Sequence, residues 1–218
     1  MKRPPLIADR ALLLPPRLLG DVDYYRLAAR FKYVAVDGDI RYNKRQKEIH
    51  RCVIADTHGI LRLTVPVAKV VNPLSARWSD VAVSPHNEWW TAMWTSIESA
   101  YGRTPFFEFY ADLFAPFFAT QYLGGCRSIT CFDDALHSTI CNILNLSAPM
   151  SVDEVTGSGL PVVDYRRDPL PQLPPAKPYY QVRAERLGFI SSLSIIDLIF
   201  NIGPEAQIYL ADGSIFLP

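Results

Sequence analysis

Three small polar residues recur at helical spacing within a strongly apolar segment near the end of the chain, "LSIIDLIFNI". In a helix, Ser194, Asp197 and Asn201 share one narrow stripe, because they occupy positions i, i+3 and i+7. Apolar side chains cover the rest of its surface, which predicts a buried helix. A buried carboxylate is unfavourable unless it is paired or hydrogen-bonded. Asp197 therefore either has a structural partner, such as Arg183 or Arg186, or belongs to a stripe that lines a ligand pocket.

A second group of chemically active residues is the basic segment "RYNKRQKEIHR", residues 41–51. Its arginines suit an anionic ligand such as a pyrophosphate, because a guanidinium binds phosphate through two parallel hydrogen bonds. His50 titrates near neutral pH and is the candidate general base. Together with Arg51 it lies closest to the apolar strand that follows. The alternative is a solvated loop and edge strand, where lysines deter unwanted strand pairing.

The two groups define one set of predicted site residues. The candidate catalytic residue is His50. The candidate substrate-binding residues are Arg51, Asn43, Lys44, Ser194, Asp197, Asn201 and Glu205. The last of these begins the next short element, after the helix ends at a Gly-Pro pair. No metal site is predicted, because Cys126 and Cys131 lie five residues apart without a second pair or matching histidines. The sequence leaves the cofactor unknown.

Composition argues against several classes of protein. The 218 residues include 22 Lys and Arg and 22 Asp and Glu, and a formal net charge of zero argues against nucleic-acid binding through bulk charge. No apolar run reaches the roughly 18–20 residues of a membrane helix. The first twenty residues turn from basic to apolar, but Asp9, Arg10 and the Pro15-Pro16 pair interrupt them, so we expect no signal peptide. The four cysteines are then expected to be free thiols in a reducing compartment.

The first 85 residues are rich in strand patterns. The segments "LIADRALLL" and "KYVAVDGD" predict two strands joined by a short helix, "DVDYYRLAARF", with Asp21 or Asp23 as its N-cap. This β–α–β opening, residues 6–36, favours a parallel pair. The segments "IHRCVIA" and "ILRLTVPV" predict a hairpin, and "DVAVS" predicts another short strand.

The middle of the chain is predicted to be helical. Asn87 can cap "EWWTAMWTSIESAY", whose aromatic and apolar residues form one continuous face. Thr104 can cap the next helix, "FFEFYADLFAPFF", with Pro105 at the first helical position. A third helix, "FDDALHSTICNILN", follows. The simplest role for these aromatic stripes is in the core.

The last third begins with a proline-rich connection. Residues 158–178 hold six prolines, so we expect an irregular surface segment there. The segment "KPYYQVRAERLG" predicts a helix stopped at Gly188, before the final buried helix. Together the elements predict a single domain over residues 1–218 of mixed α/β class, tending to α+β. Its mixed sheet comes from the N-terminal third and is covered by helices from the C-terminal part.

Several of these segments carry a resemblance to a known family. The chain resembles the WbqC-like family, especially the version common in Bacteroidetes, through "LLLPP", "YNK", "HRCVI", "LTVPV", "SAYGRTPFFEFYAD" and "YYQVRAERLGFISSLSIIDLIFNIGPEA". The resemblance covers most of the chain apart from the proline-rich segment. It implies a cytoplasmic protein of O-antigen or other surface-polysaccharide biosynthesis. The chemistry expected in that pathway is modification of a nucleotide-activated sugar, by acyl or aminoacyl transfer.

The chain departs from the family pattern at its histidines. The first strand ends in "ADRALLLPP", where many members have a His-Gln-Pro type of end, and His50-Arg51 stand where Asn-Arg is common. Met93 replaces a histidine expected in the Trp-rich helix. A catalytic histidine common to the family therefore does not carry over directly to this chain.

Three functions remain open from the sequence. The first is an enzyme acting on a sugar nucleotide or activated acyl donor, with His50 as base and Asp197 orienting a donor or a substrate amine. The second is a non-catalytic binding or scaffold protein of the same pathway, which the missing histidines favour. The third is a structural oligomer whose buried polar networks serve stability alone. The expected partner is a small anionic molecule such as a nucleotide sugar; neither nucleic acid nor a membrane span is expected, and homo-oligomerisation stays open.

Overall fold

The computed structural model describes residues 6–120, 125–175 and 177–211. Within these ranges the strands are β1 (Ile7–Leu14), β2 (Phe31–Val36), β3 (Arg51–Asp56), β4 (Gly59–Thr64) and β5 (Val162–Asp164). The α-helices are α1 (Val22–Ala28), α2 (Trp89–Tyr101), α3 (Phe107–Phe114), α4 (Ile129–Ile143), α5 (Val152–Gly157), α6 (Ala184–Leu187), α7 (Ile195–Ile202) and α8 (Glu205–Leu210). None of these helices is both long and apolar enough to cross a membrane.

The centre of the fold is a parallel sheet in the order β2-β1-β5. Helix α1 connects β1 to β2, and Leu14 at the end of β1 lies in register with Val36 at the end of β2. Asp21 caps α1 by accepting a hydrogen bond from the Tyr24 backbone N–H at 2.7 Å. The predicted parallel β–α–β opening and the mixed α/β class are therefore confirmed.

The third strand of that sheet was not predicted. Strand β5 lies inside the proline-rich segment 158–178, which we expected to be irregular throughout. It pairs in parallel with residues 11–13 of β1, and Pro161 contributes its carbonyl oxygen to the Ala11 N–H at 3.0 Å. The short stretch between Pro161 and Pro169 keeps its backbone donors, and an edge position tolerates the neighbouring prolines. The sheet thus extends beyond the N-terminal third of the chain.

The predicted hairpin is confirmed as β3 and β4, which pair in antiparallel fashion and form a separate two-stranded sheet. Asp56 holds its turn by accepting a hydrogen bond from the His58 N–H at 2.6 Å. The predicted strand "DVAVS" is wrong, because Ala82 and Val83 form only isolated bridges. Those bridges run to Ser128 and Val67, so neither neighbour offers a continuous ladder.

Two of the predicted helix starts are also corrected. Glu88, rather than Asn87, is the residue before α2, and both have positive φ values, 42° and 66°. The Thr104 hydroxyl donates back to the Tyr101 carbonyl oxygen at 2.6 Å, which leaves Phe106 as the residue before α3. Thr104 therefore closes the end of α2 and does not cap the next helix.

The helices near the C-terminus follow the prediction in part. The segment before Gly188 contains only the four-residue α6, although Gly188 does end it with a φ of 71°. Helix α7 is buried as predicted, with Ile195, Leu198 and Ile199 fully inaccessible to solvent. Gly203 ends α7 at a φ of 51° and packs so closely on the Phe106 ring that a Cβ would lie 2.4 Å from it.

The prediction of four free thiols is wrong for one pair. Cys126 and Cys131 form a disulfide, because the turn before α4 brings their Cα atoms to 5.6 Å, within the range that a disulfide can bridge. Cys52 and Cys141 are free, as predicted, and both are buried.

Candidate functional site

The loops that follow the three parallel strands meet at one edge of the sheet. Because the strands are parallel, their carboxyl ends lie at the same edge, which is where open α/β sheets commonly bind ligands. The loop after β1 carries Arg17, the loop after β2 begins with Asp37, and the segment after β5 carries Arg166. Two cavities are formed with these residues, and we describe them in turn.

The first cavity brings together two residues that the sequence singled out separately. Arg51, from the start of β3, and Ser194, just before α7, line the same cavity of about 60 Å³, with Arg17, Asp21 and Glu48 also in its wall. We call it the Arg51 cavity. Arg51 and the Ser194 end of the polar stripe therefore lie at the same cavity.

Arg17 is the second guanidinium of the Arg51 cavity, and the fold holds it in place. Its Nη1 donates to Asp21 at 2.5 Å, and its guanidinium lies 5.4 Å from the centroid of the Tyr24 ring. Its Nε is buried and has no hydrogen-bond acceptor among the described residues. Burial raises the pKa of Asp21, and the charge of Arg17 opposes that rise. The two guanidiniums share the cavity with two carboxylates, Asp21 and Glu48, so an anionic group of a ligand would depend on the exposed Arg51 and the free donors of Arg17.

Ser194 ties the Arg51 cavity to the surrounding backbone. Its hydroxyl donates to the Leu19 carbonyl oxygen at 2.7 Å, and its N–H donates to the Val53 carbonyl oxygen at 2.7 Å. These bonds join the loop after β1, the hairpin and the start of α7. The hydroxyl retains its lone pairs for a ligand donor.

Asp197 is held by neutral donors rather than by a cation. The Tyr179 hydroxyl donates to its Oδ2 at 2.6 Å and the Gln181 side-chain N–H donates to the same oxygen at 2.9 Å. The predicted pairing with Arg183 or Arg186 is wrong: Arg183 donates instead to the backbone carbonyl oxygens of residues 99 and 100. Burial raises the pKa of Asp197, and its hydrogen bonds oppose the rise. The adjoining cavity of about 10 Å³ has room for roughly one water molecule.

Asn201 and Glu205 lie further along the same part of the chain. Asn201 is buried and uses both ends of its amide: Oδ1 accepts from the Val182 N–H at 2.9 Å, and Nδ2 donates to the Asp197 backbone carbonyl at 2.8 Å. Glu205 is exposed in the first turn of α8. The polar stripe therefore links α7 to the segment before α6, and only Ser194 and Asp197 line cavities described here.

The predicted residues of the basic segment separate in the structure. Asn43 and Lys44 are exposed, and Asn43 Oδ1 accepts from the Arg45 N–H in a local turn. His50 is buried against the Trp78 ring, 6.2 Å between centroids, with Nδ1 3.3 Å from the Val65 carbonyl oxygen. Burial lowers its pKa. His50 ends the turn before β3, with φ −129° and ψ 13°, and only Arg51 of the two residues lines the cavity.

The second cavity was missed by sequence reasoning. It encloses about 270 Å³ at the same edge of the sheet, and we call it the arginine cleft; its charged lining residues are Asp37, Asp39, Arg41, Arg77, Arg166 and Arg167. Residues from the loop after β2 and from the segment after β5 form its walls. The signal available was the run "DYRR" after a short β-like stretch, but the surrounding prolines led us to treat the whole segment as irregular.

A comparison with protein-family models matches residues 16–159 of this chain, well over half of its length, to the WbqC-like protein family. The chain belongs to the WbqC-like family. No curated protein and no solved structure matched it in the corresponding comparisons. Arg51 and most of the Arg51 cavity lie within the range matched to the WbqC-like model, whereas Ser194 and the Arg166–Arg167 pair lie beyond it.

Proposed function

We propose that this WbqC-like protein is a cytoplasmic enzyme of surface-polysaccharide biosynthesis that acts on an activated sugar or on an acyl or aminoacyl donor. The observation that carries the proposal is the Arg51 cavity, where two arginines from different parts of the chain meet beside Ser194. We infer the pathway from the family resemblance, and we infer an anionic ligand group from the arginines of the cavity.

The Arg51 cavity suits the anionic group of a substrate rather than a whole substrate. Its volume of about 60 Å³ is far below the roughly 300–1,000 Å³ of a typical small-molecule pocket. Arg17 is fixed by Asp21, so it presents its guanidinium without further ordering. Arg51 is exposed and its side chain has no hydrogen bond or ion pair with another described residue. A carboxylate or phosphate oxygen placed between them would receive charge-assisted hydrogen bonds.

Burial lowers the pKa of His50, so its imidazole is neutral at pH 7, which is the form that accepts a proton. His50 does not line the Arg51 cavity, however, so we do not assign it the role of catalytic base there. Because its ring packs on Trp78, away from the Arg51 cavity, we assign it no contact with the anion. Asp197, held by Tyr179 and Gln181, orients the wall of that cavity through α7.

The test compares two charge reversals in the full chain. We expect Arg51→Glu to abolish binding and turnover of the active donor, found by mass spectrometry from a panel of nucleotide sugars, acyl-coenzyme A and aminoacyl donors. We expect its melting temperature to stay close to that of the wild type, because Arg51 has no side-chain partner to lose. Arg103→Glu, at an exposed arginine between α2 and α3, is the matched control and should leave both unchanged.

Two results would count against the proposal. A large fall in melting temperature for Arg51→Glu shows that the arginine is a structural partner rather than a ligand contact. Binding of a donor without any product, in the wild type and across the panel, indicates a non-catalytic binding protein of the same pathway.

A further inference from the structure

The arginine cleft contains more positive charge than its own carboxylates neutralise. Four arginines and two aspartates line it, and Asp164 adds a third carboxylate by pairing with Arg166 at 2.8 Å. Asp39 pairs with Arg77 at 2.8 Å, and Asp37 pairs with Arg166 at 2.7 Å. The side chains of Arg41 and Arg167 are exposed and have no hydrogen bond or ion pair among the described residues. Two guanidiniums are thus left for a ligand.

Arg166 is fixed in a defined orientation at the centre of the cleft. Its Nε and Nη2 donate to both oxygens of Asp164 at 2.8–3.1 Å, while Nη1 donates to Asp37 at 2.7 Å. These bonds hold the pKa of Asp164 below its usual value. Each terminal nitrogen carries a second hydrogen, so Arg166 retains two donors in a rigid plane. Such ordering before binding reduces the entropy lost when an anion binds.

The position of the cleft matches where parallel sheets bind phosphorylated ligands. Its walls come from the chain after β2 and the chain after β5, which flank the central strand β1 on opposite sides. Asp37 and Tyr165 bond to the carbonyl oxygens of Leu14 and Leu13, so the cleft lies at the carboxyl end of β1. Ligands of open α/β sheets bind in such crevices.

A further cavity, distinct from the Arg51 cavity, adjoins the arginine cleft and gives room for the rest of a ligand. It encloses about 340 Å³, shares Ser75 and Ala76 with the cleft, and is lined mainly by small and apolar residues such as Val70 and Val81. A charged cavity followed by a more apolar one suits a molecule whose diphosphate is attached to a ring system. The two cavities in succession reach the volume of a typical small-molecule pocket.

We infer that the arginine cleft binds the diphosphate of a nucleotide-linked substrate, through Arg41 and Arg167 and the free donors of Arg166. This inference deepens the proposed function and rests on it only for the group attached to the diphosphate. A diphosphate is shared by nucleotide sugars and by coenzyme A, so both belong in the test.

The experiment is titration calorimetry of the full chain with pyrophosphate, UDP-glucose, coenzyme A and uridine. We expect pyrophosphate and at least one of the two diphosphate diesters to bind, and uridine to bind at least about tenfold more weakly than UDP-glucose if the sugar nucleotide is the ligand. Arg41→Glu and Arg167→Glu should each weaken pyrophosphate binding at least about tenfold, and more at low salt. The side chains of both residues are exposed and have no hydrogen bond or ion pair with another described residue, so the variants should fold. Arg103→Glu is again the control.

The outcomes separate this inference from the proposed function. Pyrophosphate binding that depends on Arg41 and Arg167, with no donor turned over, supports the cleft and overturns the enzymatic proposal. Turnover of a donor with unchanged pyrophosphate binding in both cleft variants overturns the cleft and leaves the enzyme. Equal weakening by Arg103→Glu shows a bulk-charge effect and also overturns the cleft. Binding of coenzyme A alone keeps the cleft and identifies an acyl donor.

Discussion

Two carboxylates are buried to almost the same extent in two helices, yet their surroundings differ. Asp197 in α7 is 2% exposed and Asp133 in α4 is 1% exposed. Asp197 accepts hydrogen bonds from Tyr179 and Gln181. Neither oxygen of Asp133 has a hydrogen-bond partner among the described residues. A buried aspartate is therefore hydrogen-bonded in α7, whereas the one in α4 has no hydrogen-bond partner among the described residues.

The difference appears directly in the ionisation of the two groups. Burial raises the pKa of both, but the donors around Asp197 oppose the rise. Asp133 has no such donors in the part of the chain that the structure describes, and its pKa lies well above the usual value. One turn along α4, burial lowers the pKa of His137 to about 4. Burial therefore favours the neutral form of both Asp133 and His137, which lie one turn apart on α4. Partners, rather than burial, distinguish a structural network from an unfavourable polar group.

The largest expected effect is the loss of the Asp197 network. Asp197→Ala leaves the Tyr179 hydroxyl without its acceptor and removes one of three acceptors around the Gln181 amide, the others being the Tyr179 hydroxyl and the Ile190 carbonyl oxygen. We therefore expect unfolding in urea to require about 3 kcal/mol less free energy. Asp197→Asn keeps an oxygen where both donors converge and should recover most of that loss. Equal losses for Ala and Asn would show that the charge, not the hydrogen bonds, stabilises α7. Asp168→Ala, at an exposed loop carboxylate, is the control.

The sequence identified one of these carboxylates and missed the other for a physical reason. Asp197 is flanked by isoleucines and leucines at helical spacing, so burial followed from local periodicity. Asp133 precedes a second acid, Asp134, in a helix with several polar residues, a pattern that also fits a solvated face. Only the packing of α4 against distant segments, which include the Trp78 turn, buries Asp133 and leaves its neighbour exposed.

The same distinction between local and distant residues applies to the fold and to the candidate site. Elements fixed by nearby residues were predicted, including the β1–α1–β2 unit and the hairpin. Contacts between distant residues were not: the partners of Asp197, the strand β5, and the meeting of Arg41 with Arg166 across more than half of the chain. Spacing along the chain gives the face of an element, but it does not identify what that face contacts.

Asp133→Ala should change the free energy of unfolding in the opposite direction from Asp197→Ala. Removing a buried carboxyl group that has no partner should raise the free energy of unfolding by about 2 kcal/mol at pH 5, because the unfavourable desolvation disappears. Asp134→Ala, on the exposed side of the same helix, should change stability by no more than about 0.5 kcal/mol. A loss of stability for Asp133→Ala would mean that the carboxyl group has a partner and that the contrast with Asp197 is wrong.

The smallest expected effect is the change with pH in the stability gained by Asp133→Ala. Because the folded pKa of Asp133 is raised, its ionisation destabilises the folded protein; this effect is absent below the unfolded pKa of about 4 and grows as pH rises towards the folded pKa. His137 has the opposite sign: its lowered pKa gives a contribution that is complete above about pH 6.5 and is lost as pH falls towards 4. The two slopes oppose each other between pH 4 and 6.5, and above that range only Asp133 remains. Urea unfolding at pH 5, 6, 7 and 8 should therefore show the advantage of Asp133→Ala over the wild type growing, by at most about 1.4 kcal/mol per pH unit. An advantage that stays constant with pH would show that Asp133 is ionised in the folded protein, and that a cation or water satisfies it as Tyr179 and Gln181 satisfy Asp197.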